Sequence, residues 1–518
     1  MTDSAAARRS MDAGALAPPG SPGPSSSSQG VFISAPGKII LFGEHAVVYG
    51  RTAVAGSIDL RTYVSLYTSQ DGVIYLSLPD LGIEKTWMLK ELHRAADKLA
   101  AEDSANPLNT LALDDGAPPH LEVLVPVARK LSGSCEDQCG VQHLAVLAFW
   151  YLLLGVAQRK KDLQAVKLTV KFRLPSCVGL GSSGAYCVCI ATALLQAAGL
   201  IPPPTLPVPG STDGSLTWDD QHLDTIRKWA ATAESIIHGR ASGIDAAVCT
   251  YGGIASFKPG TRIQHFKNLP DLKVILVNSK VERNTSRMVG TVKEKLKKYP
   301  EITEPIFNSI DGISREAVHL LNRPEGLANC VGGDSSEHNS SGGSSSHAAC
   351  NEDEHHSLQD MAAQINKRRQ TSGGTGAFGA TLETRGNDRR ASSCSAKVPS
   401  PAATNGYAAL NELCRINNQL LIALGVGHPK IDQICTLLAR YGIHPKMTGA
   451  GGGGSVFAFL KPDTSATVIG MIAVELTKLG YELWQPPLGG AGVVMHGTKP
   501  DLFAQPSSGS VRSKKSVS

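Results

Sequence analysis

Gly179, Gly181 and Gly184, with Ser182 and Ser183 between them, have types and spacing that suggest a chemical task. Residues 167–174 before them alternate apolar and polar side chains and are rich in β-branched and aromatic types, a strand pattern. Residues after them, as far as 196, form an unbroken apolar helix pattern. A strand, a glycine turn and a helix in that order gather backbone N–H groups and the positive helix end at one point. That is chemistry for holding an anion, a phosphate above all. Gly179-x-Gly181-x-x-Gly184 also matches the dinucleotide fingerprint, but that reading wants an acidic residue on a second strand ~20 residues further on. Residues 201–210 are proline-rich instead, and the first acid beyond them is Asp213. No Gly-Lys-Ser/Thr follows the glycines, so the Walker pattern fails too. A plain tight turn is the alternative for this motif taken alone.

Two further groups call for a ligand or a close neighbour. A helix opening at Thr217, with Asp220 at capping-box spacing, places Leu223, Ile226, Ala230 and Ile237 on one face. Glu234 falls on that inward face. A buried carboxylate goes neutral unless it is paired or binds a metal, and an internal salt bridge is the structural alternative. Residues 449–454 hold five glycines in six positions, a costly composition unless a ligand or another backbone approaches closely.

The elements that must position these groups are legible in outline. Residues 31–34 read as a strand, 35–38 as a turn, and 39–50 as apolar, strand-favouring sequence. Further strands are expected at 53–58, 63–67, 74–78, 254–257, 274–278, 455–460 and 492–496. Helices are expected at 87–102, 121–131, 141–158, within 288–321, and at 408–424, 431–441 and 468–479. Mixed strands and helices over 518 residues, with 42% hydrophobic and 18% charged content, describe a soluble α/β protein of two or three domains. The net charge of +5 is mild, and no basic face with interleaved aromatics supports nucleic-acid binding.

The eleven cysteines, Cys135-x-x-x-Cys139 and Cys187-x-Cys189 among them, lack zinc-site spacing and read as reduced thiols. The apolar run 144–157 is too short for a bilayer and reads as a buried core helix, so no membrane association is expected. Residues 1–30 lack a secretory h-region and read as a disordered tail. Asp3, Asp12 and the prolines argue against a transit peptide. The C-terminus is not the peroxisomal tripeptide, 499–518 reads as a second tail, and a cytoplasmic location is expected. Residues 324–405 are poor in large apolar side chains and read as a low-complexity insert. His338, His347 and His355-His356 within it read as solvated, and Arg389-Arg390-Ala391-Ser392 matches a basophilic phosphorylation site.

Three separated stretches now line up with one family. APGKIILFGEHAVVYG (35–50), PSCVGLGSSGAY (175–186) and KMTGAGGGGS (446–455) resemble the three motifs of the GHMP small-molecule kinases. Residues 234–253, 280–285 and 423–435 resemble the branch of that family that acts on mevalonate. The resemblance covers about 31–323 and 406–498. It implies an α/β fold of two domains, 31–258 and 259–498 with the insert at 324–405, and an ATP site in the cleft between them. It implies transfer of the γ-phosphate of MgATP to the 5-hydroxyl of (R)-mevalonate, early in isoprenoid and sterol synthesis, and a homodimer.

The roles implied by matched position are specific. Ser183 and Glu234 would hold Mg²⁺, and the backbone of Val178, Gly179, Leu180, Gly181, Ser182 and Ser183 would cradle the phosphates. Gly449, Gly451 and Gly452 would line the ATP site from the other domain. Asp245 would deprotonate the substrate hydroxyl, with Lys38 stabilising the charge. Glu44, His45, Arg283 and Thr285 would line the substrate pocket. Taken singly, each has a bland reading: Ser242-x-x-Asp245 is capping-box spacing, Lys38 an ordinary surface lysine, His45 a core histidine. Departures from the family pattern fall at Cys177, Val178, Ala241, Ala246 and Glu282, where ATP affinity and rate would feel them. Galactokinases share Gly43-Glu44-His45 but not Ala46-Val47-Val48. A catalytically silent sensor or scaffold on the same fold is the reading from a different class, and a nicotinamide oxidoreductase lacks its acidic ribose partner.

Overall fold

The computed structural model describes residues 30–105, 116–133, 140–175, 178–239, 242–267, 269, 272–323 and 406–503, all within one compact unit of the chain. The expectations for residues 1–29, for the insert at 324–405, for Cys135, Cys139, Cys177 and Ala241, and for 504–518 lie outside these residues.

The strands, in chain order, are β1 (Val31–Phe42), β2 (Ala53–Ser69), β3 (Val73–Leu78), β4 (Ile83–Met88), β5 (Ala165–Phe172), β6 (Leu206–Pro207), β7 (Leu216–Thr217), β8 (Ile254–Phe257), β9 (Gln264–His265), β10 (Val274–Asn278), β11 (Lys446–Met447), β12 (Ser455–Phe459), β13 (Glu482–Trp484) and β14 (Val494–Met495). The helices are α1 (Leu89–Ala105), α2 (Leu121–Ser132), α3 (Val141–Arg159), α4 (Ser182–Ala197), α5 (Asp220–His238), α6 (Ile244–Tyr251), α7 (Thr285–Lys298), α8 (Pro300–Leu321), α9 (Gly406–Ala423), α10 (Pro429–Ala439) and α11 (Ala466–Lys478). Among the described residues the first sheet runs β4-β3-β5-β2-β1-β14-β7-β6, with β8 and β9 branching from β2, and the second runs β11-β12-β10-β13. The first sheet thus takes in β9, beyond residue 258, and β14 from the end of the chain.

Two departures from the expected elements bear on the site. Ala35-Pro36-Gly37-Lys38 is not a turn. β1 runs through it, and the register against β2 jumps from Pro36↔Arg61 to Gly37↔Ile58. Asp59 and Leu60 on β2 absorb the irregularity as a bulge, the place where a sheet tolerates proline. The same bulge makes one long strand of β2 where 53–58 and 63–67 were expected separately, and it re-aims the backbone beside Lys38. The helix expected from residue 87 starts at Leu89, because Trp87 pairs across to Ile74 as part of β4.

Helices α3, α4 and α5 lie against the first sheet's core. Every residue of α3 from Ala145 to Ala157 is buried, as is every residue of α4 from Gly184 to Leu195. By length and composition α3 would suffice to cross a membrane, which the shorter run 144–157 did not suggest, but it is buried in the core. The second sheet, with α7 to α11, encloses a second core around Phe307, Leu421, Ile434 and Ile472. Cys187, Cys189, Cys249, Cys414 and Cys435 are free thiols. The segment expected as tail from 499 is partly ordered: Asp501–Phe503 form a short turn, Phe503 is buried, and Lys171 donates to the Leu502 carbonyl at 2.5 Å.

Candidate active site

The start of α4 is the centre of the site. Its N-cap is Gly181, at φ 74° and with no side-chain cap, so the first-turn N–H groups receive no bond from a capping side chain. A β-carbon at Gly181 would stand 2.7 Å from Lys38 Cγ, so only glycine lets the loop lie this close to β1. The Lys38 N–H donates to the Leu180 carbonyl at 2.8 Å and fixes that contact. Sheet, loop and helix are thereby locked together.

Lys38 is almost fully buried, and its Nζ sits 3.0 Å from Oδ1 of Asp245. Asp245 lies in the first turn of α6, whose N-cap is Gly243 without a side-chain bond, so the capping-box alternative is not realised. Glu234, on the inward face of α5, is 2% exposed. That helix starts at Asp220 under an Asp219 cap, whose carboxylate accepts from the His222 N–H at 3.0 Å; Thr217 belongs instead to β7. Ser183 Oγ donates to Glu234 Oε1 at 3.3 Å. Glu234 has no ion pair among the described residues, and its Oε2 has no hydrogen-bond partner. Burial, helped by the nearby Asp245 carboxylate, raises its pKa to about 8. A hydroxyl and a carboxylate with an orphaned oxygen make the donor set of a hard divalent cation, so the pair fits Mg²⁺.

The second wall comes from residues 446–455. The Arg283 guanidinium lies between the two glycine loops, where β-carbons at Gly179 or Gly449 would collide with it, and its Nη1 donates to the Thr448 carbonyl at 3.2 Å. Thr448, fully buried, accepts from the Ile40 N–H and donates to the Ile40 carbonyl, both at 3.0 Å, tying this loop to β1. Gly451 and Gly452 face Val426 and Met288, so in this cluster protein neighbours account for the missing side chains. His45, at φ 59°, places Nε2 2.9 Å from the Ala450 carbonyl, and burial lowers its pKa. Thr285 opens α7 behind the Asn284 cap, two residues from Arg283.

Glu44 lies in the interior. It is 1% exposed and ion-paired to Lys446, which is itself fully buried. Lys446 Nζ also donates to the Met447 carbonyl at 2.8 Å and lies over the rings of Phe42 and Phe457. Asn417 Nδ2 donates to the other Glu44 oxygen at 3.4 Å. Glu44 thus joins the chain's first motif to its third. Sequence reading missed Lys446, Thr448 and also His238, whose Nε2 lies 2.8 Å from Ser183 Oγ. Only His238 left a signal, being one helical turn after Glu234.

Among the described residues there is no doubly wound parallel sheet of a dinucleotide enzyme, since β5 runs antiparallel to β2. Two family models match the chain: "GHMP kinases N terminal domain" at residues 145–253 and "GHMP kinases C terminal" at 401–471. The fold is that of a GHMP kinase. Mevalonate kinase of Bos taurus is 33% identical over 471 residues, 90% of this chain and 96% of that protein. The Arabidopsis thaliana mevalonate kinase is 28% identical over 465 residues, 88% and 97% of the two chains. The solved structure of Methanococcus jannaschii mevalonate kinase has a TM-score of 0.52 at 20% identity, covering 90% of this chain and 99% of that one. The chain belongs to the mevalonate kinase family.

Proposed function

We propose that this protein transfers the γ-phosphate of ATP to the 5-hydroxyl of (R)-mevalonate, giving 5-phosphomevalonate. The observation that carries the reading is the Lys38–Asp245 pair, 3.0 Å apart, with Lys38 buried and Asp245 partly exposed beside the open first turn of α4. Asp245 accepts the hydroxyl proton on its carboxylate as the oxygen attacks phosphorus. Lys38 holds that carboxylate in place and sets a positive charge beside the oxygen on which negative charge develops. The α4 first turn and the backbone of 178–183 bind phosphate oxygens, so that positioning and charge balance supply most of the catalysis. Ser183 and Glu234 would hold Mg²⁺, which when bound neutralises charge on the transferring phosphate. Arg283 supplies a cation suited to the substrate carboxylate, and His45 lies on the same wall. The homodimer implied by the family resemblance is checked by light scattering.

The test is coupled ADP release with MgATP and (R)-mevalonate. Wild type turns over, and Asp245→Asn loses turnover by 10²-fold or more, on the order expected for a general base, while still binding ATP. A wild type that binds MgATP but releases no ADP with mevalonate, galactose or homoserine overturns the reading in favour of a silent sensor.

A further inference from the structure

His238 ends α5, one turn after Glu234, and reaches across to the start of α4. Its Nε2 is 2.8 Å from Ser183 Oγ, closer than the 3.3 Å between that oxygen and Glu234 Oε1. A serine hydroxyl has one proton and two lone pairs. With the proton given to Glu234 and one lone pair taken by an Nε2–H donor, a single lone pair is left. Its direction is set by those two partners. Without His238, Ser183 is held by the long bond to Glu234 alone and can turn among its staggered rotamers.

We propose that His238 is a positioning residue for the metal–nucleotide complex, donating from Nε2 to Ser183 Oγ and leaving one oxygen lone pair for the cation. The inference rests on the reading of Ser183 and Glu234 given above and adds to it a residue outside the ligand pair. His238 touches neither phosphate nor acceptor in this role and acts through Ser183. Outer partners that orient a metal ligand in this way are commonly worth 10- to 100-fold in metal affinity.

The experiment uses the full chain as wild type, His238→Ala and His238→Gln, the last with an amide N–H that can replace the Nε2 donor. Mn²⁺ is the probe, its binding to the enzyme–ADP complex read by electron paramagnetic resonance. Metal-free ADP binding is read by calorimetry, and the far-ultraviolet spectrum of each variant checks that it is folded. His238→Ala is expected to weaken Mn²⁺ binding roughly 10-fold or more, with metal-free ADP affinity unchanged and Mn²⁺ affinity largely restored in His238→Gln. Unchanged Mn²⁺ affinity in the alanine variant overturns the inference. So does equal weakening in both variants, which would make the ring's shape, not its hydrogen bond, the cause. Turnover with (R)-mevalonate is measured in parallel. A wild type without turnover whose Mn²⁺ binding still depends on His238 removes the substrate assignment and upholds this inference.

Discussion

Lys446→Met tests the buried ion pair that links the first motif to the third. Lys446 and Glu44 are 0% and 1% exposed, so neither charge can recover hydration without local opening. Removing the ammonium leaves the Glu44 carboxylate with the Asn417 amide at 3.4 Å as its remaining described partner. Methionine fills the space between Phe42 and Phe457, so the loss is electrostatic and not a cavity. Breaking one side of such a pair costs about 3–5 kcal/mol. At ~2.1 cal/mol/K of unfolding entropy per residue over the roughly 370 described residues, that is a fall in Tm of roughly 4–6 °C. The double variant Glu44→Gln, Lys446→Met removes both charges and should recover most of the loss, since a neutral, well-packed replacement often matches a buried pair. Differential scanning calorimetry on the four proteins completes the cycle. A single Lys446→Met variant as stable as wild type, or a double variant as unstable as the two singles summed, refutes this account. The mevalonate KM should rise in Lys446→Met more than the ATP KM does, because His45 follows Glu44 directly and bonds the Ala450 carbonyl.

Two further outcomes follow from the geometry. Gly181→Ala puts a β-carbon into a φ of 74° and against Lys38 Cγ, strain of about 1–3 kcal/mol at the start of α4; kcat should fall while α-helical content is kept, and an alanine variant with wild-type kcat counts against the close approach. His496 tests pH dependence: its imidazole lies between Ser34, Ser215 and Asp213, with Arg61 and Tyr63 beside it, and burial lowers its pKa below 6.5. The folded state therefore disfavours the protonated ring, so its contribution is present above pH 6.5 and is lost as pH falls toward the lowered folded value. Tm measured from pH 8 to 5 should drop more steeply in wild type than in His496→Gln, and parallel curves would remove His496 as the cause.

What could be read from the chain alone divides along physical lines. Helices α3 and α4 were plain because continuous apolar sequence has few soluble uses besides a core helix. The glycine turn ahead of α4 and the inward Glu234 were plain because glycine spacing and helical period are local properties. Lys38 facing Asp245 was not, since no local pattern joins residues so far apart; the family resemblance supplied it. Pro36-Gly37 has turn chemistry, and only pairing with β2, which bulges opposite it, makes it part of a strand. Thr217 was misread as a cap because Asp219 lies two residues on and does the same task. The interior ion pair of Glu44 was not legible, because its partner, Lys446, belongs to a distant motif.

The pairing of β1 with β14 has a consequence for how the chain comes off the ribosome. Ile33 and Ser34 are opposite Met495 and Val494, and the His496 N–H donates to the Phe32 carbonyl. Among the described strands β1 is the first made, and its edge at Ile33 and Ser34 therefore stays unpaired until β14, made after residues 324–405, is available. An edge open for that long is an opportunity for wrong pairing. β14 pairs at only two positions, too few to hold by itself. Among the described strands, the last one made is thus the one that closes the Ile33–Ser34 edge of the strand that carries Lys38.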